Sequence, residues 1–155
     1  MDTFLQETTG SHMTRAVETV TRDITMYELT SLFSLSDFNS YPVEEDGRVI
    51  GIVSKFDLLA NFVFTPMNMV PHYHDLMKRT VSDVMTPDYI YVGTDTKLTR
   101  VLQLMVDHRL RSIPVIEANQ RLVGIVSRQD LIRALQGNDG DTSDVEQRHV
   151  QVPLP

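Results

Sequence analysis

Apolar residues recur along the chain with helical and strand periods, and the whole pattern occurs twice. Met26, Leu29, Thr30 and Phe33 fall at helical spacing, and Leu98, Val101, Leu102 and Met105 repeat it. That spacing lays one apolar stripe along a helix. Ahead of each stripe lies a short β-rich run, residues 17–20 and 89–92. After each come two further runs, residues 41–44 with 49–53 and residues 113–116 with 122–126. Their polar connections, Glu45-Asp46-Gly47-Arg48 and Glu117-Ala118-Asn119-Gln120-Arg121, predict hairpins. A second helix opens at Ser54 and at Ser127. Natural caps for the first helices are Asp23 or Thr25, and Asp95 or Thr96; Thr25-x-x-Glu28 has capping-box form. Each copy therefore reads βαββα.

Displacing the chain by 72 positions shows the duplication residue by residue. Met13-Thr14 falls on Met85-Thr86, Val20 on Val92, Asp23 on Asp95 and Leu32 on Leu104. Ser40-Tyr41-Pro42-Val43 falls on Ser112-Ile113-Pro114-Val115. After one extra residue near Asn119, Gly51-Ile52-Val53-Ser54 matches Gly124-Ile125-Val126-Ser127, and Asp57-Leu58 matches Asp130-Leu131. A unit of about 50 residues is too small to bury a sheet face and two helix faces alone. The expectation is one α+β module, two βαββα repeats packed sheet-to-sheet about a pseudo-two-fold axis. Repeat 1 is set at 11–61, a linker at 62–80 and repeat 2 at 81–136, with tails at 1–10 and 137–155. Residues 60–79 have no counterpart in this alignment. They are expected to extend the second helix and then, past Pro66 and Pro71, to form a loop and a short helix over residues 75–79.

Composition narrows the function classes. Apolar residues make up 41% of the 155 residues, enough for a core. Lys plus Arg is 14 against 21 Asp plus Glu, a net charge of −7. That balance argues against nucleic-acid and anionic-membrane partners while leaving room for a local basic pocket. With no cysteine, disulfides, thiolate metal sites and cysteine nucleophiles are excluded. No apolar run approaches the roughly 18 residues that span a bilayer. The first ten residues lack the basic and apolar regions of a signal peptide, so a cytoplasmic location is expected. His72-Tyr73-His74-Asp75 has the residue types of a metal cluster, but alternate residues converge only in a strand, and a surface loop is the simpler reading. No Ser-His-Asp set, P-loop or strand-linked GxGxxG occurs. The expectation is a protein that is not an enzyme, needs no cofactor and holds no metal.

The recurrent Ser-x-x-Asp at Ser54/Asp57 and Ser127/Asp130 carries two readings. As a capping box it would stabilise any helix by about 1 kcal/mol. As a ligand site, the helix N-terminus and Ser hydroxyl would receive a phosphate while the carboxylate accepts ribose hydroxyls.

The Met-Thr start, the Ser-x-Pro-Val entry into the hairpin and the string GIVSRQDL resemble the cystathionine β-synthase (CBS) domain family. Together the copies resemble a tandem CBS pair, or Bateman module, of the stand-alone type. The resemblance implies a regulatory module binding an adenosine-containing ligand, AMP, ADP, ATP or S-adenosylmethionine, in clefts between repeats. It further implies a homodimer signalling to an effector protein. A structural dimerisation module with no ligand is the alternative. Carried over position by position, it implies a first-choice cleft of Ser127, Asp130, Arg111 and Ile125 with Arg22, Ile24 and Tyr27 from the other repeat. A second cleft would hold Ser54, Asp57 and Ile52 with Thr94, Thr96 and Thr99. Pro42 and Pro114 would line the adenine regions. Asn39 stands where the second repeat has Arg111, which weakens the second cleft for an anion. Lys55 and Arg128 are read as solvated helix residues.

Overall fold

The computed structural model describes residues 2–63 and 73–137. The elements in order are α1 (Asp2–Gln6), α2 (Met26–Leu35), β1 (Ser40–Glu45), β2 (Arg48–Ser54), α3 (Lys55–Ala60), α4 (Tyr73–Lys78), α5 (Val81–Val84), α6 (Leu98–His108), β3 (Ser112–Glu117), β4 (Arg121–Ser127) and α7 (Arg128–Leu135). Short 3₁₀ turns cover Thr9–Ser11 and Ala118–Gln120.

Each repeat is built on an antiparallel hairpin, with Pro42 opposite Ile52 and Pro114 opposite Ile125. Both hairpins carry an irregularity at the same place, Val43/Glu44 and Val115/Ile116. Asp46 and Gly47 close the first hairpin with φ of 53° and 78°. Positive φ at both loop positions is what the twist of a two-residue hairpin requires, and Asp-Gly supplies it cheaply. The hairpins join in one sheet, ordered β1-β2-β4-β3, through the single pair Arg48–Arg121. The expected leading strands, residues 17–20 and 89–92, shrink to one residue each. Val20 bridges Val43 and Val92 bridges Val115, both parallel.

Each repeat has its own core. The first gathers Met26, Leu29 and Phe33 of α2 with Tyr41, Val43, Val53 and Leu58. The second gathers Leu98, Val101 and Met105 of α6 with Ile113, Val115, Val126 and Leu131. The predicted apolar stripes are the buried faces, apart from Thr30 and Leu102, which are exposed. Thr25 caps α2 in a full capping box with Glu28. At α6 neither Asp95 nor Thr96 caps. Lys97 takes that position without a side-chain bond, because Thr96 Oγ1 already accepts the Gly93 N–H at 3.0 Å.

The repeats are interlocked. Thr14 of the first pairs with Ile125 of the second, through N–H···O bonds of 2.8 and 2.9 Å; Thr86 of the second pairs with Ile52 of the first, at 2.8 and 3.0 Å. The glycines of the two GIVS strings make this possible. A Cβ on Gly124 would lie 2.8 Å from Met13 Sδ and 2.9 Å from Thr14 O, and one on Gly51 would meet Met85 Sδ and Thr86 O at 2.8 and 3.0 Å.

The exchange extends into the segment expected to be a tail and along the start of the second repeat. Thr9 and Gly10 N–H groups donate to Thr96 and Thr94 carbonyls at 2.8 and 2.9 Å; Val81 and Ser82 do the same to Ile24 and Arg22 at 2.8 and 2.9 Å. Phe4 of α1 is buried in the second core and Val81 in the first. Phe4 and Thr9 thus anchor this stretch to the second repeat, and α4, at residues 73–78 rather than 75–79, is the positional counterpart of α1. The second helix is not extended: α3 ends at Ala60. Phe64, Pro66, Met67, Met69, Pro71 and His72 lie outside the described residues, as do residues 138–155.

Candidate functional site

Two clefts open between the interlocked repeats, on either side of the pseudo-two-fold axis. The larger, about 720 Å³, surrounds the N-terminus of α7. Ser127 caps that helix, accepting the Asp130 N–H at 3.2 Å, while Ser127 N–H donates to Asp130 Oδ2 at 2.9 Å. Asp130 is one of two buried polar residues among those described, at 4% exposure. Thr14 Oγ1 donates toward both its oxygens at 3.3 Å, and Arg133 stands 3.8 Å from Oδ1. One carboxylate oxygen therefore completes the cap and the other retains accepting capacity. The capping and ligand readings of the motif are compatible here.

Arg111, Ser127 and Ile125 line this cleft, as expected from the sequence, and Pro42 joins them. Arg22, Ile24 and Tyr27 do not. The Arg22 guanidinium lies 3.5 Å from both Glu45 and Ser82, Ile24 packs on the first core and Tyr27 is 66% exposed. The physical cause is the exchange itself: residues 80–82 hydrogen-bond along residues 22–25 and occupy that turn. The stretch before the Val20 bridge faces the cleft instead, through Ala16, Val17 and Glu18, together with Phe38 and Asn39.

The smaller cleft, about 240 Å³, surrounds Ser54 and Asp57. Ser54 and Asp57 form the same capping box, with Ser54 N–H and Oγ donating to Asp57 Oδ2 at 2.9 and 3.0 Å. Ile52 and Pro114 line it as predicted, with Thr86, Asp88 and Tyr89. Thr94, Thr96 and Thr99 do not. Thr94 bonds Glu117 and accepts Gly10, the Thr96 carbonyl receives the Thr9 hydroxyl and N–H, and Thr99 is exposed on α6. The Tyr89 hydroxyl donates to Val49 O at 2.9 Å, and burial, with Tyr91 nearby, pushes its pKa up.

Ser40, Ser112 and Ile125 line both clefts. On the axis the two serine hydroxyls lie 3.4 Å apart and Arg111 donates to Asn39 Oδ1 at 3.3 Å. Asn39 therefore holds Arg111 rather than merely lacking its charge. Arg128 and Lys55 stay out of the clefts: Arg128 Nε donates to Leu110 O, and Lys55 sits 6.0 Å above the Phe33 ring. Arg133 was missed in the sequence, as was Thr14 as a cleft residue. The signals were present as Asp130-x-x-Arg133, with Ala60 at the equivalent place, and as the matched Met-Thr pairs. Among the described residues no group of three His, Asp or Glu side chains is placed to hold a metal, and no helix is long and apolar enough to cross a membrane.

A four-stranded antiparallel sheet with helices, built from interlocked βαββα repeats around two inter-repeat clefts, defines a tandem-repeat α+β module. The chain belongs to the CBS domain family, whose description matches residues 10–63 and 81–137. It is 32% identical over 127 residues to an uncharacterized protein of Methanocaldococcus jannaschii, covering 81% of this chain and 43% of that protein. The chain thus spans less than half of that relative. In structure it resembles CBSX2 of Arabidopsis thaliana in complex with AMP, with TM-score 0.71 and 27% identity over 84% of this chain and 96% of that one. It shares the fold of the CBS domain pair of protein MJ0100 in complex with 5′-methylthioadenosine and S-adenosyl-L-methionine (TM-score 0.67, 21% identity, 84% and 96% covered).

Proposed function

We propose that this chain is a regulatory CBS pair that binds an adenine nucleotide in the Ser127 cleft and signals its occupancy to an effector protein. The observation that carries the reading is the placement of two cations, Arg111 and Arg133, with Ser127 at the N-terminus of α7, in a cleft contributed by both repeats whose lining also holds Glu18 and Asp37; the buried carboxylate of Asp130 lies 3.8 Å from Arg133. The arginines suit a phosphate, which they can grip in bidentate fashion. Asp130 Oδ1 lies outside the cap and, beside the bond from Thr14 Oγ1, keeps a lone pair suited to a ribose hydroxyl, and Ile125, Pro42 and Val17 offer apolar walls for a base. A structural relative of 27% identity is in complex with AMP, which supports the same ligand class. The paired arginines favour AMP, ADP or ATP over S-adenosylmethionine. Because Thr14, Asn39 and Ser127 come from both repeats, a ligand bound there biases their relative position, and differential affinity for two such positions is all that signalling requires. The module acts by binding, in the cytoplasm, without chemistry of its own.

A second reading, a dimerisation module without ligand, is favoured by the exposed apolar helix residues Leu35, Phe56 and Leu59, at 86%, 77% and 67% exposure. Thermal-shift titration separates the two. A ligand at 100 times its dissociation constant adds about 2.7 kcal/mol. At ~2–4 °C per kcal/mol for a chain of this size, that is about 5–11 °C. AMP or ATP is expected to give such a shift and Asp130→Ala to remove it. No shift with AMP, ATP or S-adenosylmethionine at millimolar concentration would overturn the nucleotide reading.

A further inference from the structure

Asn39 and Arg111 each stand one residue before a hairpin, 72 positions apart, at the same place in the two repeats. Their backbone carbonyls are used alike. Asn39 O accepts the Lys55 N–H at 2.9 Å, and Arg111 O accepts the Arg128 N–H at 3.0 Å. Each side chain is therefore launched from a main chain fixed to the first residue of α3 or of α7. Between them the Ser40 and Ser112 hydroxyls lie 3.4 Å apart, and Arg111 Nη1 donates to Asn39 Oδ1 at 3.3 Å.

The surroundings of that bond are mixed in charge. The larger cleft is lined by Arg111 and Arg133, and also by Glu18 and Asp37. A carboxylate is the stronger partner for a guanidinium, because bonds between charged groups are roughly twice as strong as neutral ones. Paired with Glu18 or Asp37, Arg111 would be neutralised before any ligand arrived. Among the described residues its side-chain partner is instead the amide of Asn39. An amide oxygen accepts without bringing charge, and it takes one donor of the guanidinium fork, leaving the others and the positive charge to the cleft. Asn39 is half-buried and Arg111 exposed, so the shorter, more confined side chain anchors the longer one.

We infer that Asn39 is a positioning and specificity residue of the larger cleft: its neutral amide holds the Arg111 guanidinium at the axis, keeps it from pairing with Glu18 or Asp37, and so leaves a cation open to a phosphate. The inference rests on the nucleotide reading for its ligand, while the holding of Arg111 is read without one.

The experiment combines arginine side-chain NMR of the free full chain with calorimetric titration by AMP and by adenosine. The Arg111 signals are assigned by their loss in Arg111→Ala. The free guanidinium is expected to be restricted, and Asn39→Ala to release it, lowering its order parameter and averaging its Nη signals. That change leaves intact the backbone carbonyl that holds α3. Asn39→Ala is expected to raise the AMP dissociation constant about three- to tenfold and to move that of adenosine by less than about twofold. In the Arg111→Ala background it is expected to change AMP binding by less than about twofold, since no guanidinium remains to be placed. Asn39→Asp is expected to keep the guanidinium restricted yet raise the AMP dissociation constant by about tenfold or more, because the introduced carboxylate neutralises it. Arg111 signals unmoved by Asn39→Ala overturn the inference whatever AMP does. Equal losses for AMP and adenosine overturn it too, as does an undiminished loss in the Arg111→Ala background. Absence of AMP binding to the unaltered chain removes the nucleotide reading and with it the specificity half of the inference; the arginine signals alone then decide the positioning.

Discussion

Replacing Phe4 by alanine tests whether the first ten residues are part of the module or an appendage to it. Phe4 is 6% exposed and sits among Met13, Leu98, Val101 and Met105 in the second core. A Phe→Ala change at a fixed core site costs about 3–5 kcal/mol, transfer and cavity together. Here the loss has a ceiling, because α1 is five residues long, far below the ~12–15 needed for an independent helix, and can undock rather than hold a cavity open. The loss then approaches the transfer term, about 1.5–3 kcal/mol for a buried aromatic. Taking about 2–3 kcal/mol at ~2–4 °C per kcal/mol gives a fall in Tm of about 4–12 °C. Chemical denaturation should show the same loss as a lower midpoint at unchanged slope. Leu5→Ala, at 52% exposure on the same helix, supplies the control and is expected to move stability by no more than ~0.5 kcal/mol. Equal, negligible effects of the two substitutions would refute the packing of α1 and return residues 1–10 to the status of a tail.

Four further outcomes are expected. Gly124→Ala drives a Cβ into Met13 Sδ and Thr14 O, so it should cost ~1–3 kcal/mol from overpacking and weaken AMP binding by displacing Thr14 from Asp130, read by thermal shift and calorimetry. Arg111→Ala removes one of the two cations lining the larger cleft and, on the nucleotide reading, should raise the AMP dissociation constant by about tenfold or more, with a shallower dependence on salt than the unaltered protein shows. Tyr41→Phe removes the hydroxyl that bonds Ser36 at 2.8 Å in the first core and should cost about 0.5–1.5 kcal/mol in urea unfolding. The Thr94 hydroxyl and N–H hold Glu117 below the usual glutamate pKa. Its contribution to stability is therefore present above the ordinary value and lost as pH falls through the lower folded value. Thr94→Val should flatten stability against pH on that acid limb.

The duplication, the hairpins and the capped helices were legible because they are local: two alternating runs around Asp46-Gly47, a stripe ending at Phe33, a Ser three residues before an Asp. Ser127, Arg111 and Ile125, which line the larger cleft, were legible for the same reason. Arg22, Ile24 and Tyr27 were assigned to the cleft on the expectation that the turn after the leading strand lies open. Which segment covers that turn is a long-range fact. It depends on residues 80–82 crossing from the other repeat, and no local spacing reports such a crossing. Thr14 and Arg133 were missed for a related reason: each gains meaning only beside Asp130, and for Thr14 that neighbour is contributed by the opposite half of the chain.

The hydrogen bond between Arg111 and Asn39 shows what joining two copies in one chain permits. Both residues occupy the same position of the ancestral unit, and that position faces itself across the axis. In a symmetric pair of identical units it would oppose arginine to arginine, which repel, or asparagine to asparagine, which bring no charge to a phosphate. Covalent fusion lifts the identity constraint, so one half can carry the cation and the other the acceptor that steadies it. Broken symmetry at a single self-facing position is enough to make the two clefts of a duplicated unit chemically unequal.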